Sequence, residues 1–203
     1  MYTNRSSITP DEALQRLVAG NRRFLRGEMR LPDLLQTTLT DLAQNQNPYA
    51  TILGCSDSRV PPELVFDAGL GDLFVVRVAG NILSPRVAGS LQYAGALLNT
   101  PLFVVLGHEG CGAVIAALKT RDEGATQHSH IQFLVDSILP ALPPFDPKLS
   151  MKERIDQAVE SNVRWTVARI LESSDRDASV IEDKMKVVGA IYEIETGRVK
   201  FLD

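Results

Sequence analysis

Residues 102–112 read LFVVLGHEGCG. The first half, Leu102 to Leu106, is a continuous apolar run rich in β-branched and large side chains, of strand length and too short for a helix. No polar residue alternates with the apolar ones, so the strand is expected to be covered on both faces, as strands of parallel sheets are. The second half is a glycine-flanked turn that carries His108 and Cys111. The same order recurs upstream. Tyr49 to Leu53 is apolar, Gly54 closes the run, and Cys55-Ser56-Asp57-Ser58-Arg59 follows. Further strands are expected at Leu73 to Val78 and at Met185 to Ile194, and Gly197 marks a turn before Val199 to Leu202, consistent with an edge hairpin. Helical patterns lie between them, at Pro85 to Leu98, Ala113 to Lys119 and about Lys152 to Leu171. Strands alternating with helices imply the α/β class, with a mainly parallel central sheet flanked by helices.

Ahead of this core stands an N-terminal helical arm. Thr9-Pro10-Asp11-Glu12 has the residues of a capping box with proline at the first helical position, and apolar spacing carries the helix over 10–26, with Gly27 to end it. A second helix is expected over 33–45. These helices either pack on their own domain or lie on a partner subunit. The polar stretch Thr120 to Ser129 reads as a loop or a helix entry, and the proline-containing stretch Leu139 to Pro147 as a loop. No repeat or composition shift marks a second domain. The expected organisation is one domain over 1–203, with the arm at 1–45 and the α/β core at 46–203.

Composition narrows the function. The chain has 203 residues, 44% hydrophobic and 23% charged, which is ordinary for a globular protein and excludes a disordered tail. A net charge of −4 supplies no general attraction to nucleic acid or to an anionic membrane. No apolar run is long enough to span a bilayer, and the N-terminus lacks the apolar stretch of a secretory leader, so the expected compartment is the cytoplasm. With only two cysteines, a disulfide-stapled scaffold is excluded, and in a reducing compartment a cysteine pair points to metal or catalysis.

Both cysteines lie in turns directly after expected strands, where open α/β sheets bind their ligands. If the two strands are neighbours, Cys55, Asp57, His108 and Cys111 converge. Two thiolates and an imidazole form a zinc donor set that leaves a fourth position open. Asp57 is either that fourth ligand or, held ionised by Arg59, an acceptor beside the metal. Taken singly, each feature has a plainer reading: a buried thiol, or a surface ion pair of little energetic worth. Their conjunction favours a metal site. Dinucleotide and P-loop motifs are absent. His128 and His130 read as solvated surface residues, and Trp165 as packing.

The segments GCSDSRVPPE and GHEGCGAV resemble the two signatures of the β-class carbonic anhydrases, and LGDLFVVRVAGN, SLQYA and YEIETG extend the likeness over most of the chain. The resemblance implies reversible hydration of CO2 to bicarbonate, zinc on Cys55, His108 and Cys111, and a catalytic pair Asp57 and Arg59. It implies that Gln46 bonds the substrate across a dimer interface, that Phe74 and Tyr93 line the CO2 pocket, and that the Gly112 amide faces the substrate. Ala79 stands where the family often has a larger valine. A homodimer or homotetramer is implied as well. Ile52 replaces the tryptophan of the bicarbonate-inhibited subgroup, although Arg77 matches that subgroup's arginine, so the simpler, non-allosteric type is expected. Rival readings are hydrolysis of CS2 or COS on the same scaffold, and a purely structural zinc.

Overall fold

A computed structural model describes residues 8–30, 36–174 and 185–202. Five strands form one sheet in the order β2-β1-β3-β4-β5, with β1 Ala50–Gly54, β2 Leu73–Arg77, β3 Leu102–His108, β4 Lys186–Tyr192 and β5 Val199–Phe201. β1 pairs parallel with β2 and β3, and β3 parallel with β4, while β5 closes one edge antiparallel. The helices are α1 Pro10–Arg26, α2 Gln36–Gln44, α3 Pro62–Val65, α4 Pro85–Ala96, α5 Gly112–Glu123, α6 Ser129–Ile138 and α7 Met151–Ser174. The α/β class and the mainly parallel sheet are as the sequence implies.

Every residue of β1 and β3 is buried. On one face Ile52, Val104 and Leu106 pack with Ala13 and Leu17 of α1 and with Val65 and Phe66. On the other, Leu53, Phe103 and Val105 meet Val87 and Leu91 of α4 and Val163 and Ile170 of α7. A third cluster, of Val114, Ala117, Val135, Ile138 and Val159, closes around Cys55 and Cys111.

The N-terminal arm therefore docks its first helix on the chain's own sheet. The capping box at Thr9 forms, with the Glu12 amide donating to Thr9 Oγ1 and Glu12 Oε2 accepting from the Thr9 amide, and Gly27 ends the helix at φ 67°. Asn21 is buried and ties α1 to two distant segments. Its amide donates to the carbonyls of Val65 and Gly197, and its oxygen accepts from the Val199 amide. Residues 33–35 of the second expected helix lie outside the described residues.

Three local features depart from or add to the sequence reading. Of the stretch Thr120 to Ser129, residues 120–123 continue α5, which stops only where Gly124 takes φ 67°, while Ser129 opens α6, as the helix-entry alternative has it. Helix α6 was not legible; it is held by burial of Val135 and Ile138 against α5 and α7 rather than by a capping signal. Strand β2, apolar up to Val76, is half-buried because it is the outermost strand beside β1.

Candidate metal centre

The chain leaves β1 toward β2 on one side, then crosses to β3 on the other, so the order reverses between β1 and β3. The crevice beyond the carboxyl ends of these two strands is the switch point at which such sheets bind ligands. Gly54 and Leu106 are register partners there. Cys55 follows Gly54, His108 is the last residue of β3, and Cys111 is the N-cap of α5. Gly110 takes φ +61°, a left-handed turn that brings Cys111 back toward His108. The Cys55 and Cys111 sulfurs and a ring nitrogen of His108 lie within 4.8 Å of one another, and all three residues are buried.

The donor set suits a thiophilic dication. His108 Nδ1 faces the Glu109 carbonyl at 2.9 Å, which fixes its proton there and leaves the Nε2 lone pair free. Among the described residues Nε2 is buried and without a hydrogen-bond partner, the condition of an atom that a metal would satisfy. The neighbouring Cys111 thiol, against burial, lowers the Cys55 thiol; the Gly80 amide, 3.4 Å from Cys55 Sγ, acts in the same sense. The same contact, with burial, pushes Cys111 upward. A thiolate, a second sulfur and a neutral-capable imidazole aimed at one point match zinc in type and number.

Asp57 lies outside the trio. Arg59 grips it in a fork, Nε to Oδ1 at 2.9 Å and a terminal nitrogen to Oδ2 at 2.8 Å, and the Arg59 amide donates to Oδ1 at 3.0 Å. These bonds hold the Asp57 carboxyl well below the usual carboxylate range. Its Oδ2 stands 3.8 Å from His108 Nε2, at the rim of the centre. Arg77 braces the loop from below, donating to the carbonyls of Cys55 at 2.9 Å and Asp57 at 2.6 Å.

The remaining candidates are spread more widely. Ala79 begins the short turn Ala79–Asn81, whose Gly80 touches Cys55. Gly112 is exposed at the start of α5, and a Cβ there would meet nothing within 4 Å. Gln46 is exposed between α2 and β1. Phe74 and Tyr93 stack on each other at 6.1 Å, with Tyr93 42% exposed. Phe74 is the register partner of Thr51, so it sits about 13 Å along the strands from the level of Cys55. Within one chain this aromatic pair does not reach the trio. Ile52 is fully buried in the core. Glu109 points away, its carboxylate accepting from the Ile194 amide at 3.0 Å. His128 and His130 are exposed, and Trp165 lies on the outer side of α7 with Arg169 over its ring. Sequence reading overlooked Gly80 and Asn162, although a glycine directly after the LFVVRV strand was a local sign of the first.

Residues 50–199 match the family model described as carbonic anhydrase, and the fold superposes on the β-carbonic anhydrase CcaA with a TM-score of 0.74, at 26% identity over 94% of this chain and 87% of that one. The chain belongs to the β-class carbonic anhydrases. It is thus an enzyme of the lyase class. Carbonic anhydrase 2 of Mycobacterium tuberculosis is 37% identical over 198 residues, covering 97% of this chain and 95% of that protein. Two tetrameric β-carbonic anhydrases of the filamentous ascomycete Sordaria macrospora give a structural match with a TM-score of 0.71 at 26% identity, over 81% of this carbonic anhydrase and 85% of the matched chain. Among its described residues no helix is long and apolar enough to cross a membrane.

Proposed function

We propose that this carbonic anhydrase catalyses the zinc-dependent, reversible hydration of CO2 to bicarbonate and a proton, with Cys55, His108 and Cys111 holding the metal. The observation that carries the reading is the buried trio with an unpartnered His108 Nε2, set beside a carboxylate that Arg59 keeps ionised. When bound, zinc supplies the Lewis acidity that makes water a nucleophile near neutral pH. Asp57 can only accept hydrogen bonds, so it orients the attacking water and turns a lone pair toward CO2. Arg59 keeps Asp57 pointed at the crevice rather than onto the metal.

CO2 is uncharged and weakly hydrogen-bonding, which suits the Phe74 and Tyr93 rings as its contact surface. The Gln46 amide and the Gly112 N–H then hold the oxygens that gain charge as bicarbonate forms. Ala79 leaves this pocket wider than a valine would. Because Phe74 and Tyr93 stand away from their own trio, and Gln46 is exposed, we assign these three to the site of a second copy. The working unit is then a homodimer or homotetramer, in keeping with the tetrameric Sordaria macrospora relatives. Two ligand cysteines that must stay reduced favour the cytoplasm.

Stopped-flow CO2 hydration on zinc-loaded protein tests the reading, with CS2 as the alternative substrate. Turnover of CO2 that falls with zinc removal and returns on reloading is expected. Turnover of CS2 alone would assign the scaffold to heteroallene hydrolysis, and turnover of neither would leave a structural zinc.

A further inference from the structure

We infer that Asn162 of α7 is a positioning residue for Cys55, acting through the backbone of Gly80. This rests on the reading that Cys55 is a metal ligand. The Asn162 side-chain amide donates to the Gly80 carbonyl at 2.9 Å, and the Gly80 amide donates to Cys55 Sγ at 3.4 Å. Gly80 holds φ 72° and ψ 16°, a left-handed conformation open to glycine. A Cβ there would stand 2.8 Å from Ile138 Cδ1 and 3.1 Å from Ala113 Cβ, so Gly80 is wedged between α5 and α6 while Asn162 holds it from α7.

Asn162 is 1% exposed, and its oxygen has no partner among the described residues. Burying an amide whose oxygen is left without a partner is unfavourable where an apolar side chain would pack without loss. What asparagine adds is the bond to Gly80. The helix that carries it is seated by the next residue. Val163 fits against Gly107 and Gly189, where added Cβ atoms would come within 2.5 Å and 2.8 Å of its methyl groups. Gly107 directly precedes His108. One turn of α7 therefore touches both ligand-bearing segments, His108 by close packing and Cys55 by a hydrogen-bond relay.

An N–H donated to a thiolate withdraws electron density from sulfur and fixes its direction. Losing that bond leaves a more electron-rich and less well aimed ligand, and disrupting such supporting contacts weakens metal binding by about 10–100-fold in typical sites. The experiment uses the full chain with cobalt(II) as the probe. Wild type is expected to take up cobalt with a sulfur-to-metal charge-transfer band. Asn162→Leu should shift that band to lower energy and bind cobalt at least about tenfold more weakly in chelator competition. Ile170→Ala, about two turns further along α7, should lower the thermal midpoint but leave band and affinity unchanged. Should Asn162→Leu fail to fold, Asn162→Ala is read in the same way, and failure of both to fold overturns the inference. An unshifted band with wild-type affinity in the Asn162 variant also overturns it, as does an equal shift in Ile170→Ala. A wild-type chain that takes up no cobalt overturns the metal reading and this inference together, whereas cobalt uptake by wild type with no change in the Asn162 variant overturns this inference alone and leaves the metal reading standing.

Discussion

Replacing Gly107 by alanine adds one methyl group at the tightest point between α7 and the sheet. That methyl would stand 2.5 Å from Val163 Cγ2 and 3.5 Å from Val159 Cγ1, against the roughly 3.5–4.0 Å that carbon atoms prefer. About 1 Å must be found. Val163 cannot supply it by rotating, since a β-branched residue in a helix has one favoured rotamer and its other methyl already crowds Gly189. The helix must move, and overpacking of this kind costs about 1–3 kcal/mol. Opposing this, alanine in place of glycine reduces the entropy of the unfolded chain and stabilises by about 0.4–1 kcal/mol. The net loss is about 0–2.6 kcal/mol, centred near about 1.3 kcal/mol, or about 3–5 °C in Tm at that centre for a chain of this size. Gly112→Ala is the matched control. Its added Cβ meets nothing within 4 Å, so only the entropic gain applies and Tm should equal or exceed that of wild type. Thermal unfolding at fixed protein and zinc concentration reads both. Gly107→Ala should also lower CO2 hydration by moving His108, and Val163→Ala in the same chain should recover part of the lost Tm. A Gly107→Ala midpoint above that of wild type, or equal to that of Gly112→Ala, would refute the argument that α7 is seated by this contact.

Metal analysis should find one zinc per chain, and Cys111→Ser should lose most of it; full retention in that variant would remove Cys111 from the ligand set. Arg59→Ala should keep its zinc while CO2 hydration falls by about a hundredfold or more, because an Asp57 freed from its fork loses orientation; near-normal turnover would show that Asp57 needs no such support. The folded-state shift of Asp57 is downward, so its contribution to stability is present in full above the unfolded carboxylate value of about 4 and is lost as pH falls through and below that value. Urea midpoints should therefore be flat in this contribution from pH 6 to pH 9, and Asp57→Asn should reduce the acid-side slope below about pH 4; an unchanged slope would contradict the shift. Oxidants should eject zinc and pair Cys55 with Cys111, so loss of activity should track loss of free thiols, and activity that outlasts the zinc would contradict the assigned centre.

Much of this molecule is decided locally. The apolar run at 102–106 and the largely apolar one at 49–53 favour strands covered on both faces, which places helices above and below a parallel sheet. A capping box and a terminal glycine bound α1 because the groups that satisfy its free amides and carbonyls lie within a few residues. Post-strand turns holding Cys55, Asp57, Arg59, His108 and Cys111 were legible for the same reason: a strand directs the residue that follows it to one edge of the sheet. Adjacency was not local. Nothing in the neighbourhood of Cys55 encodes that β1 lies beside β3; that follows from which apolar faces pack together. The same holds for Glu109, whose turn away depends on the Ile194 amide, and for Arg77, whose guanidinium found the Cys55 and Asp57 carbonyls rather than solvent. Asn162 is the extreme case. On a helical wheel it is a polar residue on an apolar face, and only the seating of Val163 against two glycines brings it within reach of Gly80. Hydrogen-bonding capacity is written in each side chain, but its partner is chosen by packing between segments far apart in the chain.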